Sequence, residues 1–83
     1  MRGDVIIEMT PGHIVCAWNG RTVRIEGEAL MPDAAIQYVI YEHTIAFVGA
    51  DGASIPVPAS ERHAVVDHVI ALCTERGIRA ACE

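Results

Sequence analysis

Lysine is absent from this chain; its six basic side chains are all arginine, set against eleven carboxylates for a formal charge of −5. Nucleic-acid binding draws its affinity from cations laid along phosphates, so this balance argues against nucleic acid as a direct partner. It suits an electropositive protein partner, and equally ordinary solubility. Cysteine is scarce and odd in number: Cys16, Cys73 and Cys82 are far apart and form no CxxC. That excludes a disulfide framework and leaves the thiols to act as small hydrophobes. No apolar run approaches the ~20 residues of a membrane span. The N-terminal stretch mixes a short apolar run with acids, unlike a secretory signal. A cytoplasmic protein with no membrane partner is the expectation. With 83 residues, of which 52% are hydrophobic, one domain over residues 1–83 is expected.

What is present is a hairpin. Asn19-Gly20 sits between alternating apolar runs, and both residues tolerate the positive φ of a type I′ turn. That turn sets Trp18 opposite Arg21, Cys16 opposite Val23 and Ile14 opposite Ile25, all on one face. The other face carries His13, Val15 and Ala17 across from Glu26, Arg24 and Thr22. Before it, residues 4–9 read as a strand with Val5, Ile7 and Met9 on the core side. A type II turn is expected at residues 10–13, with Pro11 and Gly12 at its centre. Gly27 is expected to end the third strand. Residues 36–41 and 44–48 are β-branched and aromatic and read as two further strands with a turn at Glu42-His43. Residues 54–57 are at best an edge strand, because Pro56 cannot donate to a ladder.

Ser60 reads as the N-cap of a helix, with Glu61 in its first turn. Val65, Val66, Val69, Ile70, Leu72 and Cys73 recur at helical spacing. Arg76 in the last turn and Gly77 beyond it mark the C-terminus, and residues 78–82 return as a short strand. The apolar stripe needs a flat partner, which the meander supplies. The fold class is therefore α+β: a mostly antiparallel β-meander sheet of five to seven short strands with one C-terminal α-helix packed on one face.

Catalytic chemistry is hard to find. His63 and His68 are five apart, not the i, i+4 of a zinc helix, and no Cys/His cluster has metal-ligand spacing. There is no GxSxG and no phosphate-binding loop. Cys16 and Cys73 fall on core faces, and Ser60 is assigned to a cap. No enzyme, metal or cofactor is expected. Trp18 belongs to the core edge, and Tyr38 and Tyr41 point to opposite faces, so one of them is available to a partner. Charge and loop position alone nominate Glu26, Glu28, Asp33, Glu42 and Asp51 as partner-binding.

The hairpin end Arg24-Ile25-Glu26-Gly27-Glu28, the strand Tyr38-Val39-Ile40-Tyr41, Thr44-Ile45 and a helix closing on Gly77-Ile78 resemble small bacterial immunity proteins. These belong to polymorphic-toxin and contact-dependent inhibition systems; over residues 5–82 the order and spacing are most similar to the immunity protein 74 family. The resemblance implies a cytoplasmic binding protein that blocks the C-terminal domain of a matching toxin, many of which are nucleases with basic channels. A different class stays open: a small self-associating structural or regulatory module, such as a homodimer, using an open sheet edge.

Overall fold

In the computed structural model, which describes residues 6–31 and 33–83, the Asn19-Gly20 turn forms as its chemistry demands. Asn19 takes φ 50° and Gly20 φ 75°, the left-handed pair that matches the twist of the flanking strands. In chain order the strands are β1 Ile6–Met9, β2 His13–Trp18, β3 Arg21–Ala29, β4 Tyr38–Ile40, β5 Ala46–Val48, β6 Ser54–Pro56 and β7 Ala80–Cys82. The helix α1 spans Ala59–Glu75, and a 3₁₀ turn, Glu42–Thr44, separates β4 from β5. The β2–β3 register is the one set by the turn: Trp18 opposes Arg21, Cys16 opposes Val23 and Ile14 opposes Ile25. The fold is α+β, a seven-stranded, mostly antiparallel sheet with one helix against it.

Strand β3 is the trunk of the sheet. One edge pairs β2 along its length. The other edge is divided: Val23 and Arg24 pair β5, while Gly27, Glu28 and Ala29 pair β4. At the fork, the Glu26 amide donates to Thr44 Oγ1 at 2.9 Å and the Glu26 carbonyl accepts from the Tyr41 amide at 2.8 Å. A side-chain hydroxyl thus completes a ladder that would otherwise leave a backbone donor unpaired. Strand β5 continues to β6, and β4 is joined on its far side by β7 in parallel. The expected turn at Glu42-His43 therefore does not make β4 and β5 hairpin partners.

Core packing follows the face alternation. Ile14, Cys16, Val23, Ile25, Ile40, Phe47, Val65, Val69 and Cys73 are sealed from solvent in one cluster spanning sheet and helix. Each large aliphatic or aromatic side chain buried this way stabilises by roughly 1.5–3 kcal/mol. Trp18 lies at the edge of this core, stacked on Phe47 with ring centroids 6.1 Å apart. Arg21 closes the stack, its guanidinium carbon 3.6 Å from the Phe47 ring centre.

Several local expectations are corrected. The register slips between Ile6 and Glu8: Ile6 opposes Cys16, but Glu8 opposes Val15 and Met9 opposes Ile14. This bulge places Ile6 and Met9 against the core and turns Ile7 out, 59% exposed. Val5, expected on the core side, and Asp4 lie outside the described residues. Gly12 is not among the positive-φ glycines, so the turn at residues 10–13 is not type II. Thr10 Oγ1 organises it instead, accepting the Gly12 and His13 amides at 3.1 Å each. Gly27 is interior to β3. The helix starts one residue before Ser60, with Pro58 at the N-cap and no side-chain cap bond. Proline's fixed φ prepares that start without a hydroxyl. Arg76 is the C-cap itself, and Gly77, at φ 79°, lets the Ile78 amide reach back to the Cys73 carbonyl at 2.9 Å, a Schellman closure.

Candidate functional site

Face alternation along β3 sends Arg24, Glu26 and Glu28 to the side opposite the helix, while Val23 and Ile25 face the core. On that outer side Glu26 stands across from His13, Val15 from Arg24, and Glu28 from Val39. Each carboxylate on this face is held by a neighbour. His13 Nε2 lies 2.5 Å from Glu8 Oε2, Arg24 Nη1 is 3.6 Å from Glu26 Oε2, and the Tyr41 hydroxyl donates to Glu28 Oε1 at 3.0 Å. Glu28 raises the Tyr41 pKa above its ordinary value, first by accepting that hydrogen bond; slight desolvation and the charges of Glu28 and Glu83 push the same way.

The five acids nominated from sequence do not form one continuous rim. Glu26 and Glu28 share the outer face. Glu42 sits beside them in the chain's path, on the 3₁₀ turn, but accepts from Cys82 Sγ at 3.4 Å, and Cys82 packs on the core side. Asp33 lies in the β3–β4 loop, beyond the Ala29–Tyr38 pair. Asp51 lies in the β5–β6 turn, where its Oδ1 accepts the Ala53 amide at 3.1 Å; that turn is toward the opposite end of β3, because β5 runs antiparallel to it. Glu8 and Glu83 were not nominated. The Glu8 contact with His13 had a sequence signal in the short β1–β2 connection. Glu83 joins through the parallel β4–β7 pairing, its amide bonded to the Ile40 carbonyl at 2.8 Å, which nothing local announces.

Three arginines are engaged by the chain itself. Arg79 donates to the Ala34 and Ala35 carbonyls at 2.9 and 2.7 Å, tying down the β3–β4 loop. Arg21 covers Phe47, and Arg24 is near Glu26.

Two arrangements look chemical and are not. Thr10, His13 and Glu8 stand in the order of a hydroxyl–imidazole–carboxylate relay, with Thr10 Oγ1 3.2 Å from His13 Nδ1. But both Thr10 lone pairs are taken by backbone amides, and a general base would have no nucleophile free to attack. A concavity of about 320 Å³ opens between the β1–β2 turn, Tyr38 and the helix end, lined by Met9, Thr10, Pro11, Ala29, Gln37, Tyr38, Gly77 and Ile78. Its polar groups serve the fold: the Tyr38 hydroxyl donates to the Thr10 carbonyl at 2.8 Å, and Gln37 Oε1 accepts the Arg79 amide at 3.1 Å. Among the described residues no group of three His, Cys, Asp or Glu is placed to hold a metal ion, and no helix is long and apolar enough to cross a membrane.

Among the described residues, then, this small α+β protein presents Glu8, Glu26 and Glu28 on the side of the sheet away from its helix. The family model for immunity protein 74 matches residues 6–83, and the chain belongs to that family. Comparison with curated proteins and with solved structures gives no match. Membership makes this chain a non-catalytic inhibitor whose partner is a cognate toxin.

Proposed function

We propose that this protein neutralises the C-terminal domain of a toxin, a nuclease, in a contact-dependent growth inhibition system of the cytoplasm, by covering its basic substrate channel. The observation that carries this reading is the family match over residues 6–83 in a chain whose eleven carboxylates outnumber six arginines. Acidic groups, among them Glu26, Glu28, Asp33, Glu42 and Asp51, speed and orient the encounter, and apolar contacts supply affinity. The test is co-expression with the toxin domain encoded beside this chain's gene. A stable complex, restored growth and loss of nucleic-acid cleavage are the expected results. A neighbouring product that carries no toxin domain, or does not co-purify, would sink the proposal.

One observation favours a second reading, self-association as a structural or regulatory module. Among the described residues strand β7 pairs only β4, which leaves its outer edge without a strand partner there. The other outer strands are blunted, β1 by its bulge and β6 by Pro56. A strict monomer in light scattering at micromolar concentration would remove this reading.

A further inference from the structure

The helix covers one side of the sheet only. On the other side, among the described residues, no helix lies across β2, β3 and β5, and Val15, Ala17, Ala46 and Val48 are half-buried; from the helix side, His68 reaches only the Ala17 backbone carbonyl, at 3.1 Å. The register sets Arg24 between Val15 and Ala46, so apolar groups flank one cation on this uncovered face, a mixed surface of the kind interfaces use. Its charge is lopsided: Glu8, Glu26 and Glu28 against Arg24. The exposed charges of α1 and its C-cap are fewer and less one-sided, Asp67 and Glu75 against Arg76.

We infer that this helix-free sheet face, where Val15 and Ala46 flank Arg24 and Glu8, Glu26, Glu28 and Tyr41 stand around them, is the surface that docks the toxin, and that its counterpart is a cationic protein surface. The inference rests on the neutralisation reading and narrows it to one side of the molecule. The charge pattern identifies the occupant. A second copy of this chain would set three carboxylates against three, whereas a basic surface pairs them. The contacts prepare the face for that role. His13 and Tyr41 each hold one oxygen of Glu8 and Glu28, Arg24 stands 3.6 Å from Glu26, and a carboxylate has a second oxygen to offer an incoming donor. Holding the acceptors in place beforehand reduces the ordering cost of association. Of the nominated acids, Glu26 and Glu28 are then contact residues, while Glu42 and Asp51 lie off the face.

The experiment measures binding of an inactivated form of the neighbouring toxin domain to two doubly reversed variants of equal charge change. Glu26→Arg with Glu28→Arg alters the sheet face; Asp67→Arg with Glu75→Arg alters the helix. The sheet pair should weaken binding at least about tenfold and flatten its salt dependence, while the helix pair changes it less than about threefold. The milder Glu26→Gln with Glu28→Gln, checked for wild-type circular dichroism, should shift binding in the same direction and so excludes misfolding as the cause. If the helix pair loses as much as the sheet pair, or more, the face assignment is wrong although the toxin still binds. If the wild-type chain does not bind at all, the neutralisation reading itself has failed.

Discussion

Tyr38 lies on Gly27. A β-carbon at position 27 would stand 2.5 Å from Tyr38 Cε1 and overlap the Val39 carbonyl oxygen. Across this gap the phenol reaches the β1–β2 turn and donates to the Thr10 carbonyl. Gly27→Ala should therefore force β3 and β4 apart and destabilise by about 1–3 kcal/mol or more. Tyr38→Phe, which keeps the ring and loses one hydrogen bond, should cost about 0.5–1.5 kcal/mol. Urea midpoints distinguish the two; equal losses would mean that the ring does not need the missing side chain.

The hairpin turn makes a sharper demand. Asn19 sits at φ 50°, which proline cannot adopt, so Asn19→Pro should destabilise by about 3 kcal/mol or more. Typical domains have only about 5–15 kcal/mol in total. Asn19→Gly should be nearly neutral, because glycine accepts the same φ. A folded, wild-type-like Asn19→Pro protein would refute the turn.

Thiol reactivity should rank by environment. Burial raises the pKa of Cys73, and burial together with the hydrogen bond to Glu42 raises that of Cys82. Both therefore carry less thiolate near pH 8 than an ordinary thiol of about 8.5. In the folded protein an aromatic disulfide reagent should modify Cys82 slowly and leave Cys16 and Cys73 untouched; all three should react in denaturant. Glu42→Gln should speed the Cys82 reaction.

Alkaline titration reports on the tyrosines. Tyr38 is raised above 10 by burial first and by Cys73 second, Tyr41 by its hydrogen bond to Glu28 first. In each case the folded state keeps its phenol proton after the unfolded chain has released one. This contribution to stability is full below about pH 10 and is lost as pH rises through the folded values. Near-ultraviolet phenolate absorbance should thus appear at higher pH in the folded protein than in denaturant. Glu28→Gln should lower the titration of Tyr41 and leave that of Tyr38 in place.

Much of this fold is written in local chemistry. Asn19-Gly20 determines a register, the register determines which of Ile14, Cys16, Val23 and Ile25 meet, and the helical spacing of Val65, Val69 and Leu72 supplies their cover. What escaped local reading depends on partners distant in sequence or on choices between equivalent devices. Nothing within residues 6–9 announces that the ladder slips at Ile7. Ser60 is a good cap, but Pro58 starts the helix first. The β4–β7 pairing brings Glu83 beside Tyr41 from 42 positions away in the numbering (83 less 41). The candidate site divides in the same way: Glu26 and Glu28 share a face because they are two apart on one strand. Their association with Glu8 depends on His13 and a bulge, and no local pattern shows that Asp51 lies toward the other end of the trunk.

Because β3 divides its far edge between two arms, opening one arm does not require opening the other. In the backbone ladder the β5–β6 ribbon and the β4–β7 pair are joined at Glu26 through the Thr44 hydroxyl, and beneath the sheet both contribute to one core. Amide exchange should therefore resolve into two sub-global openings, with the β3 amides that bond β2 exchanging last of all. A ligand that clasps both arms would slow both openings together, adding a second link to the one the shared core provides.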